Sequence, residues 1–395
     1  MAISLDMYQT LGIAAVVLIF GGWLRSKIRI LDKFCIPAPV VGGLIYALLM
    51  WVLHAFDVIS FEYDSTLKDV CMIAFFTTVG FQADFKTLKK GGKSLIVFLV
   101  LILGLIFAQN SVALGISKLL GVDILLGLST GSIPMVGGHG TAGAFGPILE
   151  DFGMQGATTI CTAAATFGLV TGSLMGGPVG QRLIKKHHLS GDMSQLKETE
   201  FETKEETDKS FSGFATATYQ IAISMAIGTV VSALLSKTGM TLPAYIGSMI
   251  VAVIFRNITS FTKKYEIALE EISVIGEICL SLFLGIAMIT LKLWQLASLA
   301  VPFVILLLGQ TLLMFLFAYF VVFNLMGRDY DAAVLSAGAC GFGMGATPNA
   351  MANMQAITNK YGYSVKAYIL VPLVGGMFVD FINSMVITLF INIIV

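Results

Sequence analysis

Two segments of this chain place glycine, threonine and histidine where an unbroken apolar helix would otherwise run. The first reads Gly131-Ser132-Ile133-Pro134-Met135-Val136-Gly137-Gly138-His139-Gly140-Thr141-Ala142-Gly143, the second Gly338-Ala339-Cys340-Gly341-Phe342-Gly343-Met344-Gly345-Ala346-Thr347-Pro348-Asn349. An interior glycine costs a helix about 1 kcal/mol relative to alanine, so both segments are expected to be irregular backbone. Thr347 before Pro348 is placed as a helix N-cap with proline at the first helical position, an arrangement that aims free N–H groups at an anion. The competing reading is that the glycines only let helices pack closely. A third feature has the opposite sign. Asp380 is the only acid centred in a long apolar run, and Asn383, three residues on, shares its helix face. A carboxylate and an amide oxygen so placed suit a hard cation or an ammonium group, against the alternative of a structural Asp bonded to neighbouring hydroxyls.

The elements that must hold these groups follow from composition. Of 395 residues, 56% are apolar and 12% charged, where a soluble globular protein carries about a quarter charged. Twelve apolar runs, six on each side of a polar stretch at 182–209, make the chain a polytopic helical membrane protein. No long hydrophilic domain remains. Lys and Arg total 24 and Asp and Glu total 24, which excludes a chain-wide basic character for nucleic acid. The first ten residues hold Asp6 and no basic side chain, so no cleavable signal peptide is expected. Cys35, Cys71, Cys161, Cys279 and Cys340 are scattered singly and read as apolar packing residues, neither a disulfide framework nor a zinc site. No nucleotide-binding loop or nucleophilic triad is present, so an enzyme or ATP-driven pump is not expected and no cofactor is called for.

The two sets of six runs echo each other. Ile36-Pro37-Ala38 answers Leu242-Pro243-Ala244, the third run is short in both sets, and Ser129-Thr130-Gly131 with Gly137-Gly138-His139-Gly140-Thr141 answers Ser336-Ala337-Gly338 with Gly343-Met344-Gly345-Ala346-Thr347. If all twelve runs cross, the basic residues divide evenly. If the fifth run of each set dips in and returns, 20 of the 24 fall on one side and only Lys68, Lys118, Lys237 and Lys292 on the other. The positive-inside rule selects the second arrangement. The expected fold is therefore all-α, ten transmembrane helices as two inverted five-helix repeats. Each repeat has a glycine-rich re-entrant loop between its fourth and fifth helices. The N-terminal repeat spans 1–186 with its loop at about 124–150, a cytoplasmic polar linker spans 187–212, and the C-terminal repeat spans 213–395 with its loop at about 332–359. Both termini are extracytoplasmic. Inverted repeats of this kind are the architecture of many secondary transporters, with the site near the midplane. Gln109 and Asn110, polar in mid-run, are read as interhelical hydrogen-bonders.

The chain resembles the bacterial sodium/glutamate symporters. The likeness is carried by Gly137-Gly138-His139-Gly140-Thr141, the Ala164-Thr166-Phe167-Gly168-Leu169-Val170 stretch, Tyr330-Asp331-Ala332-Ala333-Val334-Leu335, and Gly341 to Pro348 running into Ala352-Asn353-Met354-Gln355-Ala356-Ile357-Thr358. It covers essentially the whole chain. The resemblance implies re-entrant loops entering from opposite faces, sodium as coupling ion and L-glutamate as substrate. It further implies a homodimer in the bacterial cytoplasmic membrane, with a transport unit moving against a fixed scaffold. Since no Lys or Arg lies inside a predicted span, the carboxylates of such a substrate must be held by helix N-termini, loop amides and hydroxyls. That makes Gly137, Gly138, Gly140, Thr141, Gly343, Gly345, Thr347 and Asn353 the expected substrate contacts. His139 offers a donor to a carboxylate and a titratable ring, and Asp380 a partner for the ammonium. Asp380, Asn383, Ser129, Thr130 and Ser336 are the sodium candidates. A carrier for another carboxylate or amino acid, coupled to protons, and an ion channel with two re-entrant loops are the alternatives.

Overall fold

The computed structural model describes residues 2–34, 36–56, 60–86, 92–191, 211–237, 243–262, 266–291, 293 and 299–394. The acidic part of the central linker, 192–210, lies outside the described residues, as do Cys35, Leu242 and Lys292.

The chain is helical almost throughout. Helix α1 (Met7–Lys27) starts on a reciprocal cap, in which Asp6 Oδ1 accepts from Gln9 N–H at 2.8 Å and Gln9 Oε1 from Asp6 N–H at 3.0 Å. It is followed by α2 (Ala38–Ala55), α3 (Thr66–Gln82) and α4 (Gly92–Leu120). The first glycine segment is broken into α5 (Ile124–Leu128), α6 (Ser132–Met135) and α7 (Gly138–Asp151), after which α8 (Ala157–His187) runs unbroken. Beyond the linker come α9 (Phe211–Ser236), α10 (Ala244–Thr262), α11 (Leu269–Ile289) and α12 (Ala300–Leu316), the last continued by a π-helical turn to Leu325. The second glycine segment forms α13 (Tyr330–Gly343) and α14 (Thr347–Tyr361). Helices α15 (Val365–Leu373) and α16 (Val379–Ile394) are joined through a π-helical turn at Val374–Phe378. Among the described residues eight helices are long and apolar enough to cross a membrane, and α15 with α16, bent by 45°, make a ninth if counted as one span. This is a multi-pass membrane protein.

The all-α class expected from sequence holds, with one local addition and one correction. The addition is a short strand pair, β1 (Ala2–Leu5) in parallel with β2 (Ser60–Tyr63), beside the first helix pair. Four residues are too few to show an alternating pattern. The glycine segments are also more helical than expected: Gly338, Gly341 and Gly343 lie inside α13, and only Met344, Gly345 and Ala346 interrupt it before α14. Close approach explains them. A Cβ at Gly341 would sit 2.3 Å from the Ala350 nitrogen, so the glycine lets α13 and α14 lie against each other.

Packing sorts the helices into two bodies. One holds α1, α2, α3, α9, α10 and α11; the other holds α4 to α8 and α12 to α16. Contact between them is concentrated where α7 meets α11 and where α3 meets the end of α15 and the start of α16. Much of it is apolar, as in Phe145 against Tyr245 and Phe85 against Phe378. Inside the second body a stripe of glycines every fourth residue on α8 receives the second glycine segment. A Cβ at Gly168 would lie 2.3 Å from the Met344 carbonyl oxygen, at Gly172 2.8 Å from that of Cys340, and at Gly176 2.1 Å from Asn353 Nδ2. The two ends of this segment return to one place. The Tyr330 hydroxyl donates to the Gly362 carbonyl, the Ser364 hydroxyl to Asp331 at 2.7 Å, and Gly191 N–H, just past α8, to the Tyr361 carbonyl at 3.0 Å.

Candidate functional site

The tips of the two glycine segments meet. Gly138 adopts φ +59°, a conformation side chains disfavour, and a Cβ there would lie 2.8 Å from the Gly345 carbonyl oxygen. At this meeting point lies a cavity of about 350 Å³. Its polar wall comes from the second body: Gly137 to Thr141 at the start of α7, Gly345 to Pro348 at the start of α14, and Asp380 at the start of α16. Its apolar wall comes from both bodies, through Phe75 and Phe76 of α3 and Leu280 and Leu284 of α11 on one side and Val136, Leu169, Phe342 and Val379 on the other.

The start of α7 leaves backbone N–H groups without helical partners, as helix starts do; at α14, where Pro348 has no N–H and Asn349 N–H donates to the Ala346 carbonyl at 3.1 Å, the N–H of Thr347 is left. No side chain caps α7 or α14. The cap residue of α14 is Ala346, with Thr347 as the first helical residue, so the expected capping role of Thr347 is corrected and its hydroxyl stands free to face the cavity. Helix dipoles and N–H groups from two directions make an electropositive wall without a single Lys or Arg among the lining residues. Opposite in sign is the Asp380 carboxylate, which enters no ion pair among the described residues. The cavity therefore presents groups suited to anions and a group suited to a cation on one wall.

His139 is oriented by α8. The Thr166 hydroxyl donates to the Thr162 carbonyl at 3.0 Å and so accepts from His139 Nε2–H, also at 3.0 Å. With the hydroxyl proton so placed, the arrangement favours the Nε2–H tautomer and leaves Nδ1 as the acceptor. Thr166 belongs to the stretch that carried the family resemblance, but nothing in its type marked it as the histidine's partner.

Other expected site residues stand back from the cavity. Gly343 is packed against Met314 and Leu105. Asn353 donates to the carbonyls of Gly172 at 2.9 Å and Ala337 at 3.3 Å, stapling α14 to α8 and α13. Asn349, not among the expected contact residues, does the same toward Leu169 at 3.0 Å. The hydroxyls of Ser129, Thr130 and Ser336 are buried and donate one turn back, to Leu125, to Gly127 and Leu126, and to Ala332. Asn383 lies deeper on α16 than Asp380 and donates to the Ser132 carbonyl at 3.1 Å. Gln109 and Asn110 are interhelical hydrogen-bonders as expected, and each reaches a different glycine segment: Gln109 Nε2 donates to the Gly343 carbonyl at 2.7 Å, and Asn110 Oδ1 accepts from Ser132 N–H at 2.9 Å. The walls Phe75, Phe76, Leu280 and Leu284 carry no sequence signal, being apolar residues in apolar helices.

Two larger cavities, about 500 and 490 Å³, open beside Lys68 at the other end of α7 and contain none of the loop-tip residues.

The family model described as sodium/glutamate symporter matches residues 3–363. The sodium/glutamate symporter of Escherichia coli (strain K12) is 42% identical over 98% of this chain and 97% of its own length, with the same figures for that of Shigella flexneri. That of Haemophilus influenzae is 40% identical over 97% of this chain and 96% of its own length. Among solved structures, a sodium proton antiporter from Methanocaldococcus jannaschii aligns over 98% of both chains at 14% identity and a TM-score of 0.37, too distant to carry an argument. The full-length match, arriving on a cavity built from the two glycine motifs, makes this chain a member of the sodium/glutamate symporter family.

Proposed function

We propose that the protein is a secondary active transporter that couples inward sodium flow to uptake of L-glutamate across the bacterial cytoplasmic membrane. The observation that carries this is the charge layout of one cavity: two helix N-termini converge on it, and among the described residues that line it Asp380 is the one carboxylate and there is no Lys or Arg. Glutamate has two carboxylates and one ammonium. The loop tips at Gly137 to Thr141 and Gly345 to Thr347 take the carboxylates, Asp380 takes the ammonium, and Asn353 and Gly343 act by positioning the second tip. His139 Nδ1 is left to accept from the substrate. No covalent step is needed, because transport requires only that the cavity open to each side in turn.

In this reading the chain has ten spans. They comprise the eight long helices, the bent α15–α16 pair and α3, which at 17 residues reaches about 26 Å at 1.5 Å per residue. Residues 1–186 and 213–395 form two repeats of opposite orientation joined by a cytoplasmic linker at 187–212, with both termini outside. Helices α13 and α14, of 14 and 15 residues, are each too short to cross a core of about 30 Å. The joined ends of that segment, next to the basic end of α8, support re-entry from the cytoplasmic side. The inverted arrangement is supported by reciprocal packing: α2 lies on α11 as α10 lies on α3, and α4 pairs with α12. The thin seam between the two bodies supports an elevator-like motion of the loop-bearing body against the other, within a homodimer.

The test is uptake of labelled glutamate into proteoliposomes under an inward sodium gradient, against potassium or choline at the same pH. Accumulation driven by sodium alone is expected. Accumulation driven instead by a proton gradient, or of another carboxylate in preference, would replace this reading with the corresponding carrier.

A further inference from the structure

The joint that holds the first loop contains an arrangement the substrate cavity does not use. Ser132 is gripped through its backbone from two distant helices: its N–H donates to Asn110 Oδ1 of α4 at 2.9 Å, and its carbonyl accepts from Asn383 Nδ2 of α16 at 3.1 Å. All three residues are fully buried, at 0% exposure. None of them lines the cavity. Yet the Ser132 hydroxyl oxygen and the Asn383 carboxamide oxygen have no hydrogen-bond partner among the described residues. Buried polar atoms in folded proteins are paired with few exceptions, so two unpaired oxygens at one joint call for a ligand. The third oxygen of the group, Asn110 Oδ1, is brought close by Gly131, where a Cβ would sit 2.5 Å away.

The chemistry of the donors narrows the ligand. Hydroxyl and carboxamide oxygens are hard ligands, which excludes soft metals. The set carries no charge of its own, whereas sites for calcium or magnesium are built on carboxylates. A hard monovalent cation fits, with Asp380 one helical turn away on α16 supplying a distant negative charge.

We propose that Ser132 Oγ, Asn383 Oδ1 and Asn110 Oδ1 ligate the coupling sodium ion in a buried pocket behind the first loop, separate from the chamber that takes the substrate; this rests on the sodium-coupled reading above. The ion then ties α4, α16 and the loop into one unit. Because the same loop presents Gly137 to Thr141 to the substrate, an occupied pocket pre-orders the carboxylate site, and by linkage a bound substrate favours the ion.

The experiment measures thermal unfolding of the purified full-length protein in detergent, titrated with sodium chloride at constant total chloride with choline, and without glutamate. The wild-type chain should be stabilised by sodium in a saturating manner. Ser132→Cys, which exchanges a hard oxygen for a poor sulfur ligand at nearly equal volume, and Asn383→Ala should each need about tenfold more sodium or greater for half the effect. The midpoint of Ser132→Cys in choline should stay near wild type, whereas that of Asn383→Ala should fall with the loss of its bond to the Ser132 carbonyl. If Asn383→Ala does not fold, Ser132→Cys decides alone, with the sodium concentration for half-maximal uptake as a second readout. Wild-type sodium dependence in Ser132→Cys would overturn the proposal and leave the joint to a trapped water, which the unpaired Asn110 Nδ2 could also bind. A wild-type chain indifferent to sodium would remove the sodium-coupled reading itself.

Discussion

Asp380 is the residue on which the charge logic of the cavity turns. It stands at the start of α16, on the wall that also holds the loop tips, and among the described residues no lysine or arginine lines the cavity. A hydrogen bond to a charged group is worth about 1.5–3 kcal/mol, so Asp380→Asn is expected to raise the glutamate concentration for half-maximal uptake by about tenfold or more. Uptake kinetics at saturating sodium measure this, and an unchanged half-saturation would take Asp380 out of the ammonium site. Asn383, although on the same helix, answers to different neighbours. Its hydrogen bond to the Ser132 carbonyl spans 251 residues of sequence, and it does not line the cavity that Asp380 lines.

At the scale of elements, α8 is the platform on which the second loop is built. Its glycines let the α13 backbone approach to contact distance, and Asn349 and Asn353 then bond α14 to carbonyls of α8. Small residues every fourth position are what close helix approach in a membrane requires. Gly176→Leu would place a side chain where Asn353 Nδ2 and the Ala337 carbonyl already lie at 2.1 and 2.7 Å from the Cβ position. Overpacking of this kind costs about 1–3 kcal/mol, and here it also unseats the loop. The expected outcome is a lowered unfolding midpoint and loss of uptake, whereas Gly12→Ala on α1, with nothing within 4 Å of its Cβ position, should behave as wild type. Equal midpoints for the two variants would mean that α13 and α14 do not depend on this stripe.

For the whole molecule the decisive feature is the division into two bodies with the cavity at their seam. If one body moves against the other, residues facing each other across the seam must part during each cycle. Gly140 of α7 faces Leu280 of α11, whose Cδ1 would be 3.5 Å from a Cβ at position 140. Cysteines at both positions, in a background with the native cysteines replaced, should be bridged by mercuric ion and uptake should stop, recovering when a thiol removes the metal. Full uptake by completely bridged protein would rule out relative movement of α7 and α11.

Much was legible before any coordinates. An apolar content of 56% with 12% charge leaves no alternative to a membrane fold, because water would not tolerate that surface. Glycine, threonine and histidine clustered in apolar runs, and one carboxylate in another, are too costly in hydrocarbon to be incidental, so Gly137 to Thr141, Gly345, Thr347 and Asp380 could be named as site residues, and the structure brings all of them to one cavity. Local sequence had no means of separating glycines that break a helix from glycines that let two helices touch. Gly341 and Gly343 proved to be helical and Gly138 to need a positive φ, a difference that depends on what lies opposite each one. The same holds for partnership. Asn110, Ser132 and Asn383 meet, and Asn353 bonds to α8 and α13 instead of lining the cavity, because helices distant in the chain pack side by side, and only the tertiary structure decides which polar groups are thereby brought together.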